Sequence, residues 1–186
     1  MRDKQRLTVG IALAVALGVT LGPARADEQQ RRVKLHVAGS TIDGVLDTAG
    51  DGTLARVQNG IANGKPEQFL MQRETEFKDT ATPCQTPDGT PGLVRLLLQS
   101  RSVYTSMRDG NQFFTQTTPG PGCLNPQTGE FSFTLPGSFI GGTGRYAGAT
   151  GTWETQNFQT VALIEDPQGH AFRQFSFDLV GTLILP

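Results

Sequence analysis

The feature that most constrains this chain is a two-residue alternation of apolar and polar side chains, repeated in short runs that glycine or proline interrupts roughly every ten residues. In 171–184, Phe175, Phe177 and Leu179 share one parity while Gln174, Ser176 and Asp178 share the other; in 130–140, Phe131, Phe133 and Leu135 oppose Ser132 and Thr134. Successive strand side chains point to opposite faces, so each run is a two-faced ribbon with one face to bury. Glycine (23 residues) and proline (11) supply the breaks between runs. The pattern predicts eight strands, at 33–38, 53–62, 67–78, 93–107, 112–117, 130–140, 152–164 and 171–184. No segment carries a capped helix-period stripe long enough for a crossover, so the fold class is all-β and antiparallel. Closing the sheet into an eight-stranded barrel removes edges that would otherwise invite aggregation. Parity leaves two orientations open, with the aromatic face toward a lumen or toward an oligomer interface.

Turn chemistry supports this order. Asp109-Gly110 marks a hairpin between the fourth and fifth strands, and Asp166-Pro167-Gln168-Gly169 presets a turn before the last. The polar, Pro-rich stretch from Asp79 to Gly92 (DTATPCQTPDGTPG) and the segment Pro119–Gly129 read as loops.

Ahead of the strands, Arg2, Lys4 and Arg6 precede an apolar run from Leu7 to Leu21, and Gly22-Pro23-Ala24-Arg25-Ala26 ends in a small-x-small pattern. This is the three-part layout of a secretory signal peptide cleaved after Ala26. The run is too short and glycine-interrupted for a membrane span, which needs roughly 20 apolar residues. The reading implies a secreted or periplasmic protein with one domain, 27–186. Cleavage removes four basic residues and one acid from totals of 16 and 17, leaving 12 against 16 and a formal charge of −4. The charges are dispersed. Nucleic acid and polyanionic membrane surfaces are disfavoured, because both need a concentrated basic footprint.

Two cysteines, Cys84 and Cys123, lie in chain bound for an oxidising compartment, and a Cys84–Cys123 disulfide is the natural reading. They are not spaced as CxxC, and His36 and His170 show no ligand spacing to them, so no metal site is expected. Asp47 and Asp51 in DTAGDG lack the alternate acids of a calcium loop and read as a β-turn. Gly151-Thr152-Trp153 resembles the GxW of lipocalins, but it lies in the penultimate strand, whereas theirs is near the N-terminus.

An enzyme in such a barrel would need an ionisable group facing an apolar lumen, where desolvation shifts its pKa. The candidates are Glu74 on the third strand, Arg95, Arg101 and Tyr104 on the fourth, with Tyr104 of opposite parity to the two arginines, and Asp178 on the last. Each is more simply a solvated group on the outer face. His36 and His170 read as isolated surface or loop residues.

The most distinctive segment is 138–153, SFIGGTGRYAGATGTW, in which Gly141, Gly142, Gly144, Gly148 and Gly151 imply repeated positive φ or close approach, with Tyr146 as anchor. A phosphate-cradling loop would need a following helix, and here strands lie on both sides. The element GGTGRYAGATG followed by a long strand resembles the allene oxide cyclase and dirigent type of β-barrel, whose members carry a GGTGxFxxAxG stretch. CLNPQTGEF (123–131) and DTAGDGTLARV (47–57) resemble a bacterial exported branch of that superfamily, largely of unassigned function. The resemblance spans 33–184 and implies an eight-stranded antiparallel barrel with an apolar cavity, often dimeric or trimeric. In plant members the cavity steers cyclisation or radical coupling of a hydrophobic substrate without a cofactor; their acid and base residues have no match in this chain.

Three functions are consistent with these observations. The first is a non-catalytic exported barrel that binds a small apolar ligand or acts as an interaction module. The others are a cofactor-independent cyclase or dirigent-like enzyme, and a structural envelope protein with a filled barrel.

Overall fold

The computed structural model describes residues 29–43, 54–165 and 171–186. The signal segment, the DTAGDG turn, the Asp166–Gly169 turn and His170 lie outside the described residues.

Alternation does become sheet. Ten strands follow in chain order: β1 (Gln29–Asp43), β2 (Leu54–Lys65), β3 (Phe69–Gln85), β4 (Pro91–Ser106), β5 (Gln112–Thr117), β6 (Gly120–Leu124), β7 (Phe131–Ser132), β8 (Leu135–Gly142), β9 (Thr150–Glu165) and β10 (Ala171–Leu185). Every described pairing is antiparallel, and the order β3-β2-β1-β10-β9-β8-β5-β4 closes through a β3–β4 pairing. The ring is an eight-stranded up-and-down barrel, because each strand pairs with its neighbour in sequence and β1 meets β10. The short strands β6 and β7 prolong β5 and β8 beyond breaks at 118–119 and 133–134. Beside β4, β5 pairs with Ser100–Thr105 and β6 with Leu93–Leu97.

Orientation is settled by burial. Phe131, Phe133, Phe175, Phe177 and Leu179 all face inward, as do Val33, Leu35 and Val37 on β1 and Phe69, Met71 and Phe77 on β3. The aromatic face is therefore the lumen face. Eight strands enclose a space just wide enough for side chains to fill, and two aromatic clusters fill much of it. At one end Phe113 stacks on Tyr104 at 4.6 Å and meets Phe69, Phe139 and Tyr146 edge-on. At the other, Phe131, Phe133, Phe158 and Phe177 form a chain of ring contacts reaching Phe77 and Phe175. Each such side chain, fully buried, contributes roughly 1.5–3 kcal/mol.

Several expectations need correction. Asp79–Gly92 is mostly strand: β3 runs to Gln85 and β4 starts at Pro91, with Pro83 opposite Leu93 and Cys84 opposite Gly92. Hence Cys84 and Cys123 both sit on strands, β3 and β6, flanking β4. They form the expected disulfide, with Cα atoms 5.9 Å apart. Gly92 of β4 lies under it, where a Cβ would come within 2.7 Å of Cys123 Sγ. Pro119–Gly129 contributes β6, and 130–140 is two strands where one was expected. The 107–111 hairpin closes as anticipated, with Gly110 at φ 73° and its N–H donating to Ser106 O. Among the described residues no helix is long and apolar enough to cross a membrane.

Candidate functional site

The five candidate residues separate onto two sides of the wall. Glu74 and Arg101 are exposed cross-strand neighbours on the outside of β3 and β4, where they line a shallow groove with Val57, Phe114 and Ile140. Asp178 is on the outside of β10. Arg95 and Tyr104 are inside, contrary to the expectation of solvated outer groups. Their sequence parity differs, yet both point inward because the β3–β4 register shifts between Glu76/Gln99 and Phe77/Leu97. A bulge adds one residue to one strand and reverses the parity beyond it.

Arg95 is 7% exposed and lies over Phe77 and Phe131, with its guanidinium on both oxygens of Asp79. The hydrogen bond from Arg95 holds the Asp79 carboxyl below the usual carboxylate range against an opposing desolvation. Tyr104 is enclosed by Phe69 and Phe113, and burial pushes its phenol up to about 12. A phenol so raised stays neutral and is a poor general base near neutral pH.

On the outside, Asp178 is organised by two neighbours. Its Oδ1 lies 2.9 Å from His36 Nδ1, and its Oδ2 accepts from Asn157 Nδ2 at 2.9 Å. These bonds, that from Asn157 foremost, lower its carboxyl pKa. Asn157 adopts φ 54° where the β9–β10 register shifts between Ser176 and Asp178. His36 is thus a partner of Asp178 directly across β1 and β10, not an isolated residue. No hydroxyl or thiol nucleophile is described against this pair, and Arg32, Lys34 and Lys65 line the same groove.

The glycine-rich segment links β8 to β9 through a three-residue 3₁₀ turn, Gly144–Tyr146. Gly144 has φ 54°, and a Cβ there would lie 1.9 Å from Asn111 Oδ1, so glycine is required on two counts. Tyr146 is fully buried against Phe69 and Phe113, and its hydroxyl donates to Glu67 at 3.1 Å. Arg145 bonds the same carboxylate. The turn closes one end of the lumen.

The residue that sequence reasoning missed is Arg73. It shares parity on β3 with Phe69, Met71 and Phe77, and that alone marks it as inward-facing. It is 3% exposed. Arg56 and Arg173 are buried by the same logic, next to Gln58 on β2 and in step with Phe175 on β10. Among the described residues no group of three His, Cys, Asp or Glu side chains could hold a metal ion.

Fold and site together define a closed, disulfide-clipped, eight-stranded antiparallel barrel. A solved structure of a pterocarpan synthase dirigent protein is similar to it, at a TM-score of 0.38 and 8% identity over 90% of this chain and 99% of that one. In sequence, no family model and no curated protein matches the chain.

Proposed function

We propose that this chain is an exported, non-catalytic barrel that works through its outer surface as an interaction module, its lumen being given over to the core. The observation that carries this reading is the packing of the inward-facing aromatic side chains into the two ring clusters. A cyclase or an apolar-ligand carrier needs a cavity where those rings lie. Glu74, Arg101 and Asp178 point away from the lumen, and Arg95 and Tyr104 face packed rings. The disulfide supports export, since such bonds persist in oxidising compartments.

The outer wall offers a surface for association. Ile61, Val161 and Phe172 line one shallow groove with Ala38, and Leu163 and Ile164 extend the apolar strip along β9. Val161 is 60% and Ile164 70% exposed. Exposed apolar side chains so grouped mark an interface. The occupant proposed is a second copy of the chain, in keeping with the dimers and trimers that the glycine-segment resemblance implies.

Sedimentation velocity tests this directly. The wild-type protein should run as a dimer or trimer, and V161D/I164D as a monomer with an unchanged melting temperature. A monomeric wild type at high micromolar concentration would refute the interface. A melting shift with any of a panel of apolar ligands would favour the carrier.

A further inference from the structure

The lumen contains a cation that its surroundings do not neutralise. Arg73 Nε donates to Ser100 Oγ at 2.6 Å and Nη2 to Thr117 Oγ1 at 3.4 Å, while the guanidinium lies over Phe177 at 5.3 Å and Phe133 at 5.9 Å. Among the described residues no carboxylate pairs with it. Arg95, by contrast, has Asp79. Burial draws the Arg73 pKa down to about 10, which still leaves it charged at neutral pH. A buried charge without a counter-charge is costly, and hydroxyls offset only part of that cost.

Further donors lie in the same part of the wall. Thr117 pairs with Gly137, and Gly137 with Trp153, so these three occupy one cross-strand row across β5, β8 and β9. Trp153 Nε1 is buried without a hydrogen-bond partner, and so is Thr155 Oγ1, two residues along β9. Trp153 can only donate, and a threonine hydroxyl can do so. Ser100 and Thr75 add hydroxyls 3.3 Å from each other beside the guanidinium. The set is rich in N–H and O–H groups and carries positive charge, which is the composition of an anion site.

We propose that the middle of the lumen, between Arg73 and the Thr117–Trp153 row, binds a small monovalent anion of halide size. Phe133 and Phe177 lie against the guanidinium at 5.9 and 5.3 Å, so the occupant proposed is of single-atom size and not a fatty acid or a phosphate ester. The anion would be a built-in counter-ion that lets the barrel close around Arg73.

Crystals grown in sodium bromide and measured at the bromine absorption edge provide the test, alongside melting curves in bromide and in gluconate at equal ionic strength. An anomalous peak should appear in the lumen within hydrogen-bonding distance of Arg73. Wild type should melt higher in bromide, by roughly 5–11 °C for a hundredfold excess over the dissociation constant in a domain of this size. R73M should lose both the peak and the salt-specific shift; if it fails to fold, R73K should fold and keep a peak. R101M, on the outside, should behave as wild type. Peaks confined to surface lysines, with equal salt responses in wild type and the Arg73 variant, would overturn the proposal. That result would leave the filled-barrel reading intact, since that reading rests on apolar packing and falls only to an apolar ligand.

Discussion

Asp79 is half exposed, yet its carboxyl is held below the ordinary range because its negative form serves Arg95, which is buried against Phe77 and Phe131. A carboxyl depressed in the folded state contributes stability that is complete above the unfolded pKa, near 4, and is lost as pH falls through the folded value. D79N should therefore lower stability at pH 7 by about 1–2 kcal/mol, the exposed side of the carboxyl keeping the loss moderate. The gap to wild type should close as pH falls below about 4. Urea midpoints at pH 7 and pH 3 check both parts, and equal midpoints at pH 7 would show that the pair contributes nothing. At this scale much of the interior was legible in parity: Arg73 stands in step with Phe69, Met71 and Phe77. Tyr104 was not, because a bulge in β4 reverses parity and leaves no mark in composition. The His36–Asp178 pair was hidden too, since cross-strand register between segments some 140 residues apart depends on the closed ring.

At the scale of elements, the Cys84–Cys123 bond staples the far end of β3 to β6 across β4. A closed loop of 39 residues stabilises the fold by roughly 3–4 kcal/mol in the chain-entropy model. C84S/C123S should lose about that much, read as a lower urea midpoint that added reductant no longer moves, whereas wild type should fall to the same midpoint on reduction. If reductant leaves the wild-type midpoint unchanged, the bond does not support the fold. Strand existence was readable from alternation, but strand length was not. The tips of β3 and β4 carry Pro83 and Pro91 and show no alternation, so they read as loop. They pair because the disulfide and β6 hold them to a neighbour, a tertiary effect that overrides local propensity. Likewise the breaks at 118–119 and 133–134 interrupt two strands without altering the eight-membered ring.

For the whole molecule, the closed antiparallel barrel was foreseeable because two-faced strands have few other ways to bury one face and protect their edges. Whether the lumen is open or filled was not, since a cavity and a core draw on the same aromatic residues and differ only in how those rings meet. The rings meet, at centroid separations from 4.2 to 6.4 Å. The proposed role of the outer wall rests on that packing, and on a lumen in which the rings leave no room for an apolar guest. Xenon under pressure enters dry apolar cavities and is readily seen by its anomalous scattering. In pressurised crystals of the protein we expect no xenon within the ring of Phe69, Phe113, Phe133 and Phe177; a well-occupied xenon site there would contradict the filled barrel and return the lumen to the list of binding sites.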